Sequence, residues 1–275
     1  MTPPSAASHP FLPLPIRAAY DGSSILSVIA AMLILVMVPT TLAALLDDRL
    51  FNGINIWIKP LKFQASLALH LVTIAWALLA LPEHMRRTRT VSVLTWVLVG
   101  AAMFEAGYIT WQASRGVGSH YNVSSTWSAA MYRMMGIGAA TLVVAAAWIG
   151  ALILRHGDRG NVVSWGTGLG LLLGGVLGGV TGGFMSAQPG HWVGTDPTDA
   201  GGLWLFGWSR SGGDLRVAHF FGLHLMQALP VVAFLATRFT PRVSRQALHA
   251  AAATGIVLTV ATFAQALAGR PLISM

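Results

Sequence analysis

Long apolar runs separated by short polar connections set the pattern of this chain. Seven stretches are almost continuously apolar: 23–46, 61–81, 91–112, 128–154, 162–185, 216–237 and 247–268. About 20 such residues, wound as a helix, cross a hydrocarbon core about 30 Å thick. The runs do not alternate between apolar and polar, so they predict helices and not the strands of a barrel. The expected fold is all-α: an integral membrane bundle of about seven transmembrane helices. It forms a single domain over residues 23–275, preceded by a proline-bearing tail over residues 1–22. The first run is long enough to span and is read as a retained helix, not as a cleaved signal.

Composition agrees with the pattern. Hydrophobic residues make up 55% of the chain and charged residues 9%, and the mean hydropathy is +0.65. Soluble domains carry about 25% charged residues. Lipid is therefore the expected solvent and first partner. The net charge of +8 does not mark a nucleic-acid binder, because the basic residues sit in short connections beside the spans, where topology signals belong. One side holds Arg17, Arg86, Arg87, Arg89, Arg155, Arg159, Arg238, Arg242 and Arg245. The other holds Arg49, Lys59, Lys62, Arg115, Arg210, Arg216 and Arg270, with Asp47, Asp48, Asp196, Asp199 and Asp214. The more basic side is expected to face the cytoplasm. That places the N-terminus inside and the C-terminus outside a bacterial cytoplasmic (inner) membrane. The outer connections are then the long ones. Residues 186–215, between the fifth and sixth spans, are rich in Gly, Pro and Asp and hold Trp192, Trp204 and Trp208. They predict a folded cap at the interface. The absence of cysteine excludes disulfides, thiolate metal sites, cysteine-ligated iron–sulfur clusters and cysteine nucleophiles.

Polar residues inside the spans carry the functional signal, because burying them in lipid is costly. In the second span Lys62, Ser66 and His70 share one face, with His70 about 12 Å below Lys62. In the third, Glu105, Tyr108 and Gln112 share a face. The fourth carries Arg133 about one turn inside its outer end. The sixth carries Arg216, His219, His224 and Gln227, and the seventh Thr262 and Gln265. Nearly all of them fall in the outer half, which predicts one outward-opening site beneath the cap. The fifth span adds two glycine rows, Gly170/Gly174/Gly178/Gly182 and Gly175/Gly179/Gly183. Such rows allow close approach, of another helix in the plainer reading or of a flat cofactor in the sharper one.

Several chemistries fit these positions. His70 and His224 match in depth, as the two axial ligands of a b-type haem would, although hydrogen-bonded core histidines fit as well. Lys62, Arg133 and Arg216 would then meet propionates or an anionic substrate, and Gly174 and Gly178 would lie against the ring. Glu105 and Arg133 come from consecutive helices and are expected to form an ion pair, with Glu105 and Tyr108 the candidate proton-handling groups. His219 and His224 are five apart, not the four of a zinc-binding helix pair, but with His70 they are the candidate zinc ligands. Gln112 to Asn122 is either a rim of the site or an ordinary turn. His191, in the Gly190–Gly194 stretch of the cap, is expected at the surface, with a place over the site as the alternative.

The segments 56–63 (IWIKPLKF), 112–122 (QASRGVGSHYN) and 213–224 (GDLRVAHFFGLH) resemble an uncharacterised family of bacterial polytopic membrane proteins. The resemblance spans helices two to six and implies a multi-span fold without an activity. No lysine lies in the seventh span for a retinal Schiff base. The seven-helix zinc amidohydrolases are a poor match for want of a His-x-x-x-His helix and a buried Asp. The residues therefore lead to a haem-binding or redox protein, with three alternatives. These are an outward-facing transporter or binding protein for a lipid or small solute, a zinc-dependent membrane hydrolase, and an accessory subunit of a membrane complex or homo-oligomer.

Overall fold

The computed structural model describes residues 19–274, so the prolines of the tail and Arg17 lie outside the described residues. Eight helices carry the fold: α1 (Ser24–Leu46), α2 (Ile58–Ala77), α3 (Arg89–Ser114), α4 (Thr126–His156), α5 (Val162–Ser186), α6 (Leu215–Leu223), α7 (Leu225–Phe239) and α8 (Ser244–Leu267). Among the described residues six helical segments are long and apolar enough to cross a membrane, and α6 with α7 would make a seventh if that pair, bent by 43°, is one span. This is a helical membrane protein. Its strands among the described residues are two short antiparallel pairs, β1 (Leu50–Phe51) with β2 (Ile54–Asn55), and β3 (Trp192–Val193) with β4 (Gly213–Asp214).

Local chemistry sets the helix ends. Ser23, Thr88, Ser125 and Asn161 cap α1, α3, α4 and α5, each accepting a backbone N–H of the first turn through its side-chain oxygen. Asp214 does the same for α6. Pro60 falls in the first turn of α2, where a missing N–H leaves no bond unmade, so that helix starts earlier than the apolar run predicts and takes Lys59 into it. The apolar run 216–237 predicts one continuous helix, and the structure bends it at His224. Pro230 cannot donate to the carbonyl of Met226, and the chain turns just before that freed carbonyl.

The glycines of α5 decide the packing at the centre. A Cβ on Gly170, Gly174 or Gly178 would meet Leu225, Met226 and Leu223 of the bent pair, at 2.5 to 2.9 Å. On the opposite face, Gly175 lies against the Val143 carbonyl and Ala147 of α4. The first row is filled by the bent pair, and on the other face Gly175 admits the α4 backbone, whereas Gly183 has open space beside it.

Candidate functional site

At one end of the bundle, the α5–α6 connection (187–214) is fastened to α2 and α6 by ion pairs and hydrogen bonds. Asp214 is 2% exposed. It receives Arg216 through two donors, Nε to Oδ1 at 3.0 Å and Nη2 to Oδ2 at 2.7 Å. Arg216 Nη2 also lies 2.8 Å from Asp199 Oδ1 and donates to the Gly207 carbonyl at 2.7 Å. Asp214 further accepts the Ser209 N–H at 2.9 Å. Lys62 Nζ donates to the Phe206 carbonyl at 2.9 Å. His191 is buried, not at the surface. It sits 3.7 Å from both Asp199 and Asp214, with its ring centroid 3.7 Å from that of Trp192.

These groups titrate according to their surroundings. Burial pushes the Asp214 carboxyl up, but the Arg216 guanidinium outweighs it and holds that carboxyl below its ordinary value. For Asp199, burial wins over Arg216 and the carboxyl is held above its ordinary value. Burial, with Arg216 adding repulsion, brings His191 down to about 3 despite the Asp214 carboxylate. The ring is therefore neutral at pH 7.

A second group of polar residues lies within electrostatic reach of this cluster. Lys59, half-buried in the first turn of α2, makes no hydrogen bond or ion pair among the described residues. Its ammonium lies 6.0 Å from the Phe63 ring and within electrostatic reach of Asp199, Arg216 and Glu105. Glu105 of α3 is 2% exposed, and its Oε1 has no hydrogen-bond partner. That oxygen faces Gly138 of α4, where a Cβ would come within 2.7 Å of it. His70 reaches the same helix one turn further along, beside the Leu142 backbone, with an unpartnered Nε2. The loop 115–125 turns inward as a rim. His120 packs between Phe63 and Tyr132, at 5.4 and 6.1 Å, and Ser119 Oγ is 3.1 Å from its Nδ1. Burial, with Lys59 adding to it, holds His120 well below its ordinary pKa. Tyr121 has φ +57°, a left-handed conformation that costs a non-glycine residue about 1–2 kcal/mol. Its hydroxyl donates to the Met185 carbonyl.

The sequence-predicted residues divide. Lys62, Arg216, Glu105 and Tyr108 reach this end together, and Tyr108 accepts a hydrogen bond from Gln112 at 3.0 Å. Arg133 does not pair with Glu105. It is exposed and makes no ion pair among the described residues, because five residues of helix turn it about 140° from Gly138, which faces the acid. His219 donates through Nδ1 to the Gly178 carbonyl at 3.0 Å, and its ring fills the space over Gly182. His224 Nδ1 lies 2.8 Å from the Phe220 carbonyl. No group of three metal-ligating side chains forms among the described residues, so His70, His219 and His224 are not brought together as a zinc site. Gly174 and Gly178 are covered by Met226 and Leu223 and present no bare face to a ring. The structure adds Lys59, Asp199, Asp214, His191 and His120 to the residues that the sequence pattern marks. The signal that could have found Lys59 is its place one turn before Phe63 and Lys62, ahead of a proline that a helix tolerates in its first turn.

No protein-family model, no curated protein and no solved structure matches this chain.

Proposed function

We propose that this chain is a seven-span protein of the bacterial cytoplasmic membrane that binds a small organic acid or oxyanion beneath an outward-facing cap. In this reading the basic connections lie inside and residues 187–214 form the cap. The protein belongs with outward-facing solute-binding or transport proteins, and the site exchanges a proton as it binds.

Lys59 and Glu105 carry the reading. Each is expensive to place in an apolar bundle. Neither satisfies the other by a hydrogen bond, although each feels the other's charge. A cation and a carboxyl held near one another without contact leave room in the network for a third polar group. Lys59 supplies the charge for an anion. Glu105, with a free Oε1 against Gly138, takes or releases the proton that keeps the site neutral on loading. His120, Phe63 and Tyr132 form the aromatic wall. Lys62 and Arg216 hold the cap closed, so entry requires their contacts to part.

The test is heat denaturation of the purified protein in detergent with acetate, succinate, phosphate or sulfate. A ligand at 100 times its Kd stabilises by about 2.7 kcal/mol. At least one anion is expected to raise the melting temperature of wild type, and Lys59→Met to abolish that shift. Indifference to all four, or an undiminished shift in Lys59→Met, would overturn the reading.

A b-type haem is a second reading, favoured by two features. A backbone carbonyl engages Nδ1 of His224, as it does in many haem and metal ligands, and His70 Nε2 is unpartnered. Haem would require α5 and α7 to separate along the filled glycine row. A visible spectrum with a Soret band would support it, and a featureless one from haem-replete cells would remove it.

A further inference from the structure

The opposite end of the bundle holds a feature that the solute site does not use. A cavity of about 400 Å³ opens between the start of α1, the end of α2 and the start of α3. Arg86, Arg87, Thr88 and Ser92 line its polar side, and Leu78 and Val91 its apolar floor. Trp96, 61% exposed, stands at its mouth. Arg87 is committed to Glu83 at 2.6 Å. Arg86 is not: its guanidinium makes no hydrogen bond or ion pair among the described residues, and its Nε is buried without a partner. A buried N–H of a charged group demands an acceptor. A guanidinium takes an oxyanion through two parallel donors, and phosphate fits that fork.

The flanks of the cavity say which phosphate. Val28, Met32 and Leu35 of α1 and Val93 and Val97 of α3 are exposed apolar side chains that continue along the bundle from this opening. They suit acyl chains, and a tryptophan beside them suits the headgroup level. From these features we infer a binding site for an anionic phospholipid, with the lipid phosphate on Arg86 and its chains against α1 and α3. A polar pocket on the same two helices as exposed apolar side chains suits a lipid, which carries both chemistries, and not a free ion.

The experiment is native mass spectrometry of the full-length protein released from detergent after addition of phosphatidylglycerol, phosphatidylcholine or inorganic phosphate. Wild type is expected to retain one phosphatidylglycerol in preference to phosphatidylcholine. Arg86→Gln should reduce that retention about tenfold, the loss of a charge-assisted hydrogen bond. Ser92→Phe, which narrows the cavity without touching a charge, should reduce it similarly. Arg242→Gln removes an arginine from the same end but not from the cavity, and should leave retention unchanged. Equal loss in Arg242→Gln would show unspecific charge attraction and overturn the site. Retention of inorganic phosphate in competition with the lipid would overturn the lipid assignment, as would equal retention of phosphatidylcholine.

Discussion

Removing the guanidinium of Arg216 should open the α5–α6 connection while leaving the bundle intact. Arg216→Gln deletes the bidentate contact to Asp214, the ion pair to Asp199 and the bond to the Gly207 carbonyl. It also strands two acids, whose side chains are 1% and 11% exposed. Breaking a buried pair by deleting one partner costs about 3–5 kcal/mol. The Arg216 side chain is 25% exposed, so water repairs part of the loss and the low end, about 3 kcal/mol, applies. By contrast, Lys62→Met deletes one hydrogen bond to the Phe206 carbonyl, worth about 1 kcal/mol. Hydrogen exchange converts these into rates. The amide of Ser209, which donates to Asp214, should exchange about 100-fold faster in Arg216→Gln and about fivefold faster in Lys62→Met. Amides in the middle of α1 should not change. Equal effects of the two substitutions, or unchanged protection at Ser209, would refute the claim that this ion cluster closes the connection.

Other consequences follow from the same geometry. The His191 pKa lies below the ordinary 6.5, at about 3, so the opened connection binds more protons than the closed one between those values. Stability of the connection should fall as pH drops from 6.5 towards 3, seen as faster proteolysis within 187–214, and His191→Gln should flatten that dependence; an unchanged slope would contradict it. Gly174→Ala puts a Cβ 2.5 Å from Met226 Cγ and 2.9 Å from the Leu223 carbonyl, and should lower thermal stability by about 2 kcal/mol. Gly183→Ala meets nothing within 4 Å and should be neutral or stabilising, so similar melting temperatures for the two would argue against the packing role. Glu105→Gln should make anion stabilisation independent of pH, whereas Arg133→Gln should leave it unchanged; the reverse ranking in melting curves would restore the abandoned ion pair.

The helices were legible because apolar runs of this length have few alternatives, and the caps Thr88 and Asn161 stand where a run begins. The crowding of polar residues towards one end was legible too, since helix geometry gives relative depth without knowledge of neighbours. Azimuth was not. Glu105 and Arg133 lie on adjacent helices at adjacent depths, yet Arg133 points elsewhere, because hairpin pairing does not determine which faces meet. The glycine rows of α5 announced close approach but not the approaching body, and Leu223 and Met226 occupy it. Lys59 was concealed by Pro60, which resembles a loop residue in sequence and sits in a helix in the structure. The cluster of His191, Asp199, Asp214 and Arg216 depends on contacts across an irregular connection, where no periodicity marks which side chains turn inward.

The chain lacks cysteine, so a single introduced thiol reports its own surroundings without background. The most direct test of the proposed site is modification of Glu105→Cys by a membrane-impermeant methanethiosulfonate, applied separately to each face of sealed membranes. The account predicts labelling from the face that carries residues 187–214, faster with a negatively charged reagent than with a positive one because of Lys59. Labelling only from the face that carries Arg86 and Arg242, or none from either side of a protein that labels fully once unfolded, would contradict it.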